Sequence, residues 1–595
     1  MRVGGGERWV ERRRGGGGSA PRAALLLALC VLALLAGCAS TTTRKLPPKP
    51  LPDAQQVFHG QVIGVSDIKT LDPALAQDAY SEAQVQLIFP GLVTLDSALN
   101  VVPWAATALP TITNGGITNQ GKTYTFHLRK GMRWSDGTPI TANDFAYAIN
   151  RAEDPCLASP IAYYLYVLVN AQDFNLGDQC ADPTHDTLSG SIPSLIGPGQ
   201  AIVVVDPLTL QLNLSRPASY FLDALSYSTS YAVPKQLIVS GDGSINTDWA
   251  SKLASQPGGF GGNLYNVTSW THGKQLVLDR NPLFWGTKPK LREINLAIYQ
   301  DSTKAYSAYL AGQDTMGVAP LTALPGARKR PGFHEFGALQ TDYLVANWSM
   351  APFDDLRVRQ AFAIALDKAK LAATDNGAAT ATNHIVPQGM PGYNPKLVGP
   401  DGTTSLTGDV TTARTLAQSY AGAKCNGSFA RCPAVTLTIV KGSQPILDEA
   451  NAMLKMWQKA FPKWPISINA VDFDTLNNRL GSRFVQFWYL AWIADYPDPQ
   501  DALSLQFLPE NSYNGIGDDT AADSLMRAAD ANPDLVGRLA QYEQAEQSLV
   551  SQVAWIPLDQ ANGWYETRPN VINLAVNADG MVPLPVWQTV FLATV

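Results

Sequence analysis

One stretch, TYTFHLRKGMRWSDGTPITANDFAYAINR (123–151), constrains the fold more than any other. Its first half alternates. Tyr124, Phe126 and Leu128 point one way and Thr125, His127 and Arg129 the other, the pattern of a strand buried on one face. An Asp136-Gly137 turn follows. Thr141 then serves as N-cap of a helix, with Asp144 three residues on in the place of the usual capping-box Glu. His127 is thereby a strand-face residue with a structural rather than a catalytic place. Further strands are expected around 61, over AIVVVDPLTLQLNLS (201–215) on either side of an Asp-Pro turn, and over QLVLDRN and LREINLAIYQD (within 275–300). Helical spacing marks SEAQVQLIFPGLV (81–93). It also marks PFDDLRVRQAFAIALDKAKLAA (352–373), capped by Asp354 or Asp355, with a stripe of Val358, Phe362, Ala365, Leu366 and Leu371. Near the C-terminus a further helix is expected over 539–558, ended at the Ile556-Pro557 step. The chain is α/β with many non-local strands, and 595 residues exceed what one core normally serves.

The N-terminus sets the compartment. Six arginines and two glutamates within the first 22 residues precede AALLLALCVLALLA (23–36). Fourteen apolar residues fall short of the roughly 20 that span a bilayer, and suit a signal-peptide core instead. Leu35-Ala36-Gly37-Cys38 at its end resembles the lipobox of bacterial lipoproteins, in which the cysteine is lipidated and becomes the first residue. Residues 1–37 are therefore expected to be removed and Cys38 to carry the lipid. Residues 38–53, proline-rich and basic, then form an extended tether. The expected location is the outer face of the cytoplasmic membrane, or the periplasm. Without residues 1–37 the chain keeps 38 basic and 48 acidic side chains, a net of −10, which argues against a nucleic-acid partner. Four other cysteines, Cys156, Cys180, Cys425 and Cys432, allow three pairings; the local one, 156 with 180 and 425 with 432, is expected in an oxidising compartment. Their spacing and the lack of nearby histidines speak against zinc. Cys180 would staple a polar surface excursion over 171–199.

Catalytic signatures are missing. The sequence has no HExxH, no GxSxG elbow, no glycine-rich phosphate loop and no Cys/His pair, and its six histidines are dispersed. No cofactor or metal site is expected. Chemistry concentrates instead in FWYLAWIADYPDPQDA (487–502), where aromatic residues precede Asp495, Asp498 and Asp501. An exported hydrolase using Asp495 and Asp498 as an acid/base pair is one reading. A turn in which one carboxylate caps backbone N–H groups is the other.

Several motifs occur in a telling order: LDPA (71–74), FPGLVTLD (89–96), YTFHLRKGMRWSDGTPITANDFAYAINR (124–151), RPASYFLDAL (216–225), RNPLFWG (280–286), AGQDTM (311–316), PFDDLRVRQAFAIALD (352–367) and WIADYPDP (492–499). From about residue 60 to its end the chain resembles the family 5 extracellular solute-binding proteins, the oligopeptide- and dipeptide-binding components of ABC importers. The resemblance implies a periplasmic-binding-protein-like fold (class II, cluster C type), with two lobes around a ligand cleft and an extra domain. The first lobe would take 54–90, 200–342 and 555–595, the extra domain 91–199, and the second lobe 343–554. It further implies a monomer that hands a small peptide to membrane permease subunits.

In oligopeptide-binding members, an aspartate in a stretch like ADYPDP pairs with the peptide's α-ammonium, which maps to Asp495. Burying an ammonium is costly unless a carboxylate meets it. Trp488, Tyr489, Trp492 and Tyr496 would lie near it, some of them in the core, since alternate residues of this run face opposite sides. Tyr343, Asn347 and Trp348, in a stretch resembling one that lines the family's cleft, complete the expected ligand set. DPCLASPIAYYLY (154–166) also resembles the oligopeptide type. The insertion at 171–199 and the FPG at 89–91 depart from the pattern. Sugars, opines, glutathione or metal complexes stay open as cargo, as does a sensor or chaperone role with a partner other than the permease.

Overall fold

The computed structural model describes residues 48–594 except 178–179, 185–186, 189–193, 482–483 and 510–519. Residues 1–37 and the lipidation candidate Cys38 lie outside the described residues. Among those described, no helix is long and apolar enough to cross a membrane.

Three sheets organise the chain. The first runs in the order Val57–Ile63, Glu293–Tyr299, Gln275–Arg280, Tyr265–Thr271, its first pair parallel and the rest antiparallel. The second, smaller sheet runs Ile117–Thr118, Thr123–His127, Thr209–Asn213, Ile202–Asp206. Tyr124, Phe126 and Leu128 are buried as their alternation requires, while His127 is exposed. Thr141 and Asp144 form the reciprocal capping box of the helix Ala142–Ala152. This sheet runs across the boundary expected at 199: 209–213 pair with 123–127, and 202–206 pair with 209–212. One apolar core, with Phe58, Phe126, Trp134 and Tyr265 among its members, serves both sheets.

The third sheet has seven strands. Six follow the order Met316–Gly317, Ile556–Thr567, Phe333–Ala346, Phe487–Ile493, Val435–Val440, Ile466–Val471, and Ala379–Ala381 pairs with the second of these. Both faces are covered, so period-2 alternation deals successive residues into two different cores. Phe487 and Tyr489 enter one core with Phe362 and Trp457, and Trp488 enters the other with Tyr343, Tyr542 and Trp555. The two longest strands, Phe333–Ala346 and Ile556–Thr567, are antiparallel, with register shifts at Gly337/Thr341 and Asp342/Tyr343. Their pairing continues through the boundary expected between 342 and 343. Gly563, opposite Phe336, has no room for a side chain: a Cβ there would lie 2.2 Å from the Phe336 ring.

Two helix expectations need correction. The single helix expected over 352–373 is two, Leu356–Ile364 and Lys368–Ala372, because the Asp367 carboxylate caps Lys370 N–H and starts a new helix. The helix expected over 539–558 runs Leu535–Gln552, capped by Asp534. It stops at Val553, whose φ of 57° is left-handed, so Ile556-Pro557 opens a strand rather than closing a helix. The end of the expected tether lies against the folded body, Pro50 bridging antiparallel to Ala593. Leu51 N–H donates to Leu592 O at 2.8 Å, and Asp53 pairs with Arg280 at 2.5 Å. Both local disulfides, Cys156–Cys180 and Cys425–Cys432, are present.

Candidate functional site

The three aspartates of ADYPDPQD take three different positions after the strand Phe487–Ile493. Asp498 caps Gln500 N–H at 2.9 Å, with Pro499 at the first helical position, and pairs with the Arg538 guanidinium; both side chains are 4 % exposed. Asp501 is fully buried. Its two oxygens accept from Trp492 Nε1 at 2.8 Å and from the Asp495 backbone N–H at 3.3 Å. Burial holds its carboxyl well above the usual range, with Asp495 adding repulsion. Asp495 alone faces a pocket. The acid/base reading of Asp495 with Asp498 loses its geometry, because Asp498 is committed to an arginine and is not part of the wall around Asp495.

That pocket, a narrow space of about 30 Å³ behind a mouth open to solvent, lies between segments from distant parts of the chain. Glu82 and Gln86 come from the helix Ala79–Ile88, which Asp78 caps at Ser81 N–H, 3.0 Å. Tyr227 and Tyr231 come from the loop after the second sheet, and Asp579 from a C-terminal turn. Gly580 makes this turn possible: its φ is 76°, and its N–H returns to Asn577 O at 3.0 Å. Ala578 O accepts from Leu339 N–H on the long strand, fixing the turn to the third sheet.

Three carboxyls therefore share one small space, and no lysine, arginine or histidine lines it. Each is shifted upward. Burial pushes Asp495 to about 6 against the pull of hydrogen bonds from Tyr164 and Tyr163. It takes Asp579 to about 7, with repulsion from Asp495, and Glu82 to about 8, with Ser228 hydrogen bonding opposing and Asp579 and Asp78 adding repulsion. Tyr163 Oη donates to Asp495 Oδ2 at 3.0 Å. Glu82 is only 3 % exposed, and its Oε2 has no hydrogen-bond partner.

Of the expected ligand set, only Asp495 lines this pocket. Trp492 is half-buried and orients Asp501. Tyr496 is buried in the core of the first two sheets, near Tyr164 and stacked at 6.4 Å on Tyr220, so it joins the two halves of the molecule. Trp488 and Tyr343 are core residues, and the Tyr343 ring stacks on Trp555 at 3.5 Å. Tyr489 is buried with its hydroxyl between Asp342, at 2.8 Å, and Glu449, at 3.0 Å. Asn347 is buried and binds Val485 O and the Ser349 N–H, and Trp348 lies beneath the Arg359 guanidinium at 4.2 Å. Glu82, Asp579, Tyr163, Tyr227 and Tyr231 escape sequence reasoning. Only Tyr163 had a signal, its place in the oligopeptide-like stretch 154–166.

A pocket between halves joined by two long strands is the geometry of a binding protein, and comparison with known proteins agrees. The model of the bacterial extracellular solute-binding proteins, family 5 Middle, matches residues 100–514. The chain belongs to that family. This solute-binding protein is 23 % identical over 501 residues to the oligopeptide-binding protein OppA of Bacillus subtilis strain 168, covering 82 % of this chain and 85 % of the relative. It is 26 % identical over 515 residues to the probable deoxycholate-binding periplasmic protein YgiS of Escherichia coli strain K12, covering 85 % and 88 %. Its fold is that of the unliganded open form of the periplasmic murein tripeptide binding protein MppA, with a TM-score of 0.72 at 23 % identity, covering 92 % of this chain and 99 % of that one. A solute-binding family places the chain among binders rather than enzymes.

Proposed function

We propose that this chain is the peptide-binding component of an ABC importer, that Asp495 receives the peptide's free α-ammonium, and that the protein hands its cargo to membrane permease subunits. The observation that carries this reading is a pocket of three carboxyls with no basic residue in its wall. Three carboxyls crowded together without a basic neighbour, Glu82 buried and Asp495 and Asp579 partly so, are pushed towards their neutral forms, and a ligand ammonium would supply the counter-charge that lets them ionise. Oligopeptide and tripeptide binding in the names of similar proteins supports the same cargo. An anionic solute, as the name of the deoxycholate-binding relative suggests for that protein, would meet like charge here. The irregular stretch 337–342 of the long strands is the natural place for the two halves to hinge, and Tyr496 would move with closure. Cys38 would carry the lipid that holds the protein at the membrane; Cys38→Ala is expected to release it without altering ligand affinity, read by membrane fractionation and a binding assay.

Native mass spectrometry of the full-length protein extracted in detergent tests the cargo. Masses that fragment as peptides are expected to leave the pocket. A single non-peptide mass would overturn the peptide reading.

A further inference from the structure

We propose that the pocket at Asp495 takes a ligand with two separate positive charges: an α-ammonium at Asp495 and a second ammonium at Glu82 and Asp579, as carried by a peptide whose first residue is lysine or a shorter homologue. The inference rests on the peptide reading and adds a preference for the first side chain.

One ammonium answers one carboxylate, and the pocket holds three. Glu82 is the decisive residue. It is 3 % exposed, it lines the pocket, and one of its carboxylate oxygens has no hydrogen-bond partner. An unpartnered buried acceptor is costly, and a donor from the ligand removes the cost. The interactions run as a chain: Asp579 feels Asp495, and Glu82 feels Asp579. A point cation does not fit this layout, since among the described residues no three acidic, histidine or cysteine groups are arranged to hold a metal ion. The proposed ligand instead carries two ammonium groups, one for each end of that row of carboxyls, and enters with the halves open. The Tyr227 and Tyr231 side chains give the methylene stem between its charges an apolar wall.

The test titrates full-length protein in detergent with Lys-Ala-Ala and with norleucyl-Ala-Ala, which keeps the methylenes and lacks the second charge. The lysyl peptide is expected to bind about tenfold more tightly, the gain of one charge-assisted hydrogen bond. In Glu82→Gln and in Asp579→Asn, on different walls of the pocket, the ratio is expected to fall to about twofold. Equal affinity of the two peptides for the wild type would overturn the second subsite and leave the peptide reading standing. A ratio unchanged in both variants would also overturn it, because the second charge would then bind elsewhere. Failure of both peptides to bind the wild type would sink the peptide reading and this inference together.

Discussion

Asp495 and Asp498 sit three residues apart on one turn, Asp498 buried and Asp495 partly so, and they meet the cost of lost water in opposite ways. Asp498 brings its own cation: Arg538 donates to it, and the pair lies near Asp223 and Asp530, which burial pushes up in pKa, Asp530 to about 6. Asp495 has the hydroxyls of Tyr163 and Tyr164, two acidic neighbours in the pocket wall and an opening. A buried carboxylate that serves the fold is paired within the fold; one that serves a ligand is left for the ligand to pair. Perturbed acids in a cleft mark function only when the compensating charge is missing.

The largest effect should come from the compensated side. Arg538→Met strands a buried Asp498 and is expected to cost about 3 kcal/mol or more in chemical denaturation. A small loss would show that the pair contributes little and blur the contrast with Asp495. Next, Asp495→Asn should weaken a free-amine tripeptide by about 2 kcal/mol while hardly changing an N-acetylated one, measured by calorimetry. Equal effects on both would remove the ammonium from the comparison.

A pH series sharpens it further. Asp495, Asp579 and Glu82 titrate at about 6, 7 and 8 in the folded chain, against roughly 4 when unfolded. Between those limits the native state holds more protons than the unfolded one. Their stability contribution is thus complete below about pH 4 and is lost as pH rises towards about 8. A cationic ligand reverses the trend, so the shift in unfolding temperature caused by a free-amine peptide should grow from about pH 5 to about pH 7.5, where the peptide's own amine begins to lose its proton. The smallest effect belongs to Tyr163→Phe. It removes one hydrogen bond from Asp495 and should weaken the same peptide by about 1 kcal/mol.

How legible each part was follows from the range of the forces involved. The Thr141 capping box, the 123–128 alternation and the two disulfides are local, and short-range chemistry writes them into neighbouring residues. Alternation at 487–489 was equally plain, but the sequence could not say that both sides of that strand are covered, so Trp488 and Tyr489 became core residues instead of ligand contacts. Asp367 failed as a signal because an aspartate suits a helix surface or a cap, and only the turn before it decides which. The pocket was least legible. Residues 82, 495 and 579 come from the two ends and the late middle of the chain, and nothing short of the fold brings them together.

Proton release tests the central claim most directly. Ala-Ala-Ala is titrated into the full-length protein in detergent at about pH 6.5, in two buffers of different ionisation enthalpy. If the peptide ammonium supplies the charge that the pocket lacks, it pulls the three raised carboxyl pKa values down, and binding releases protons to the buffer. Heats that are the same in both buffers, or proton uptake, would contradict the account.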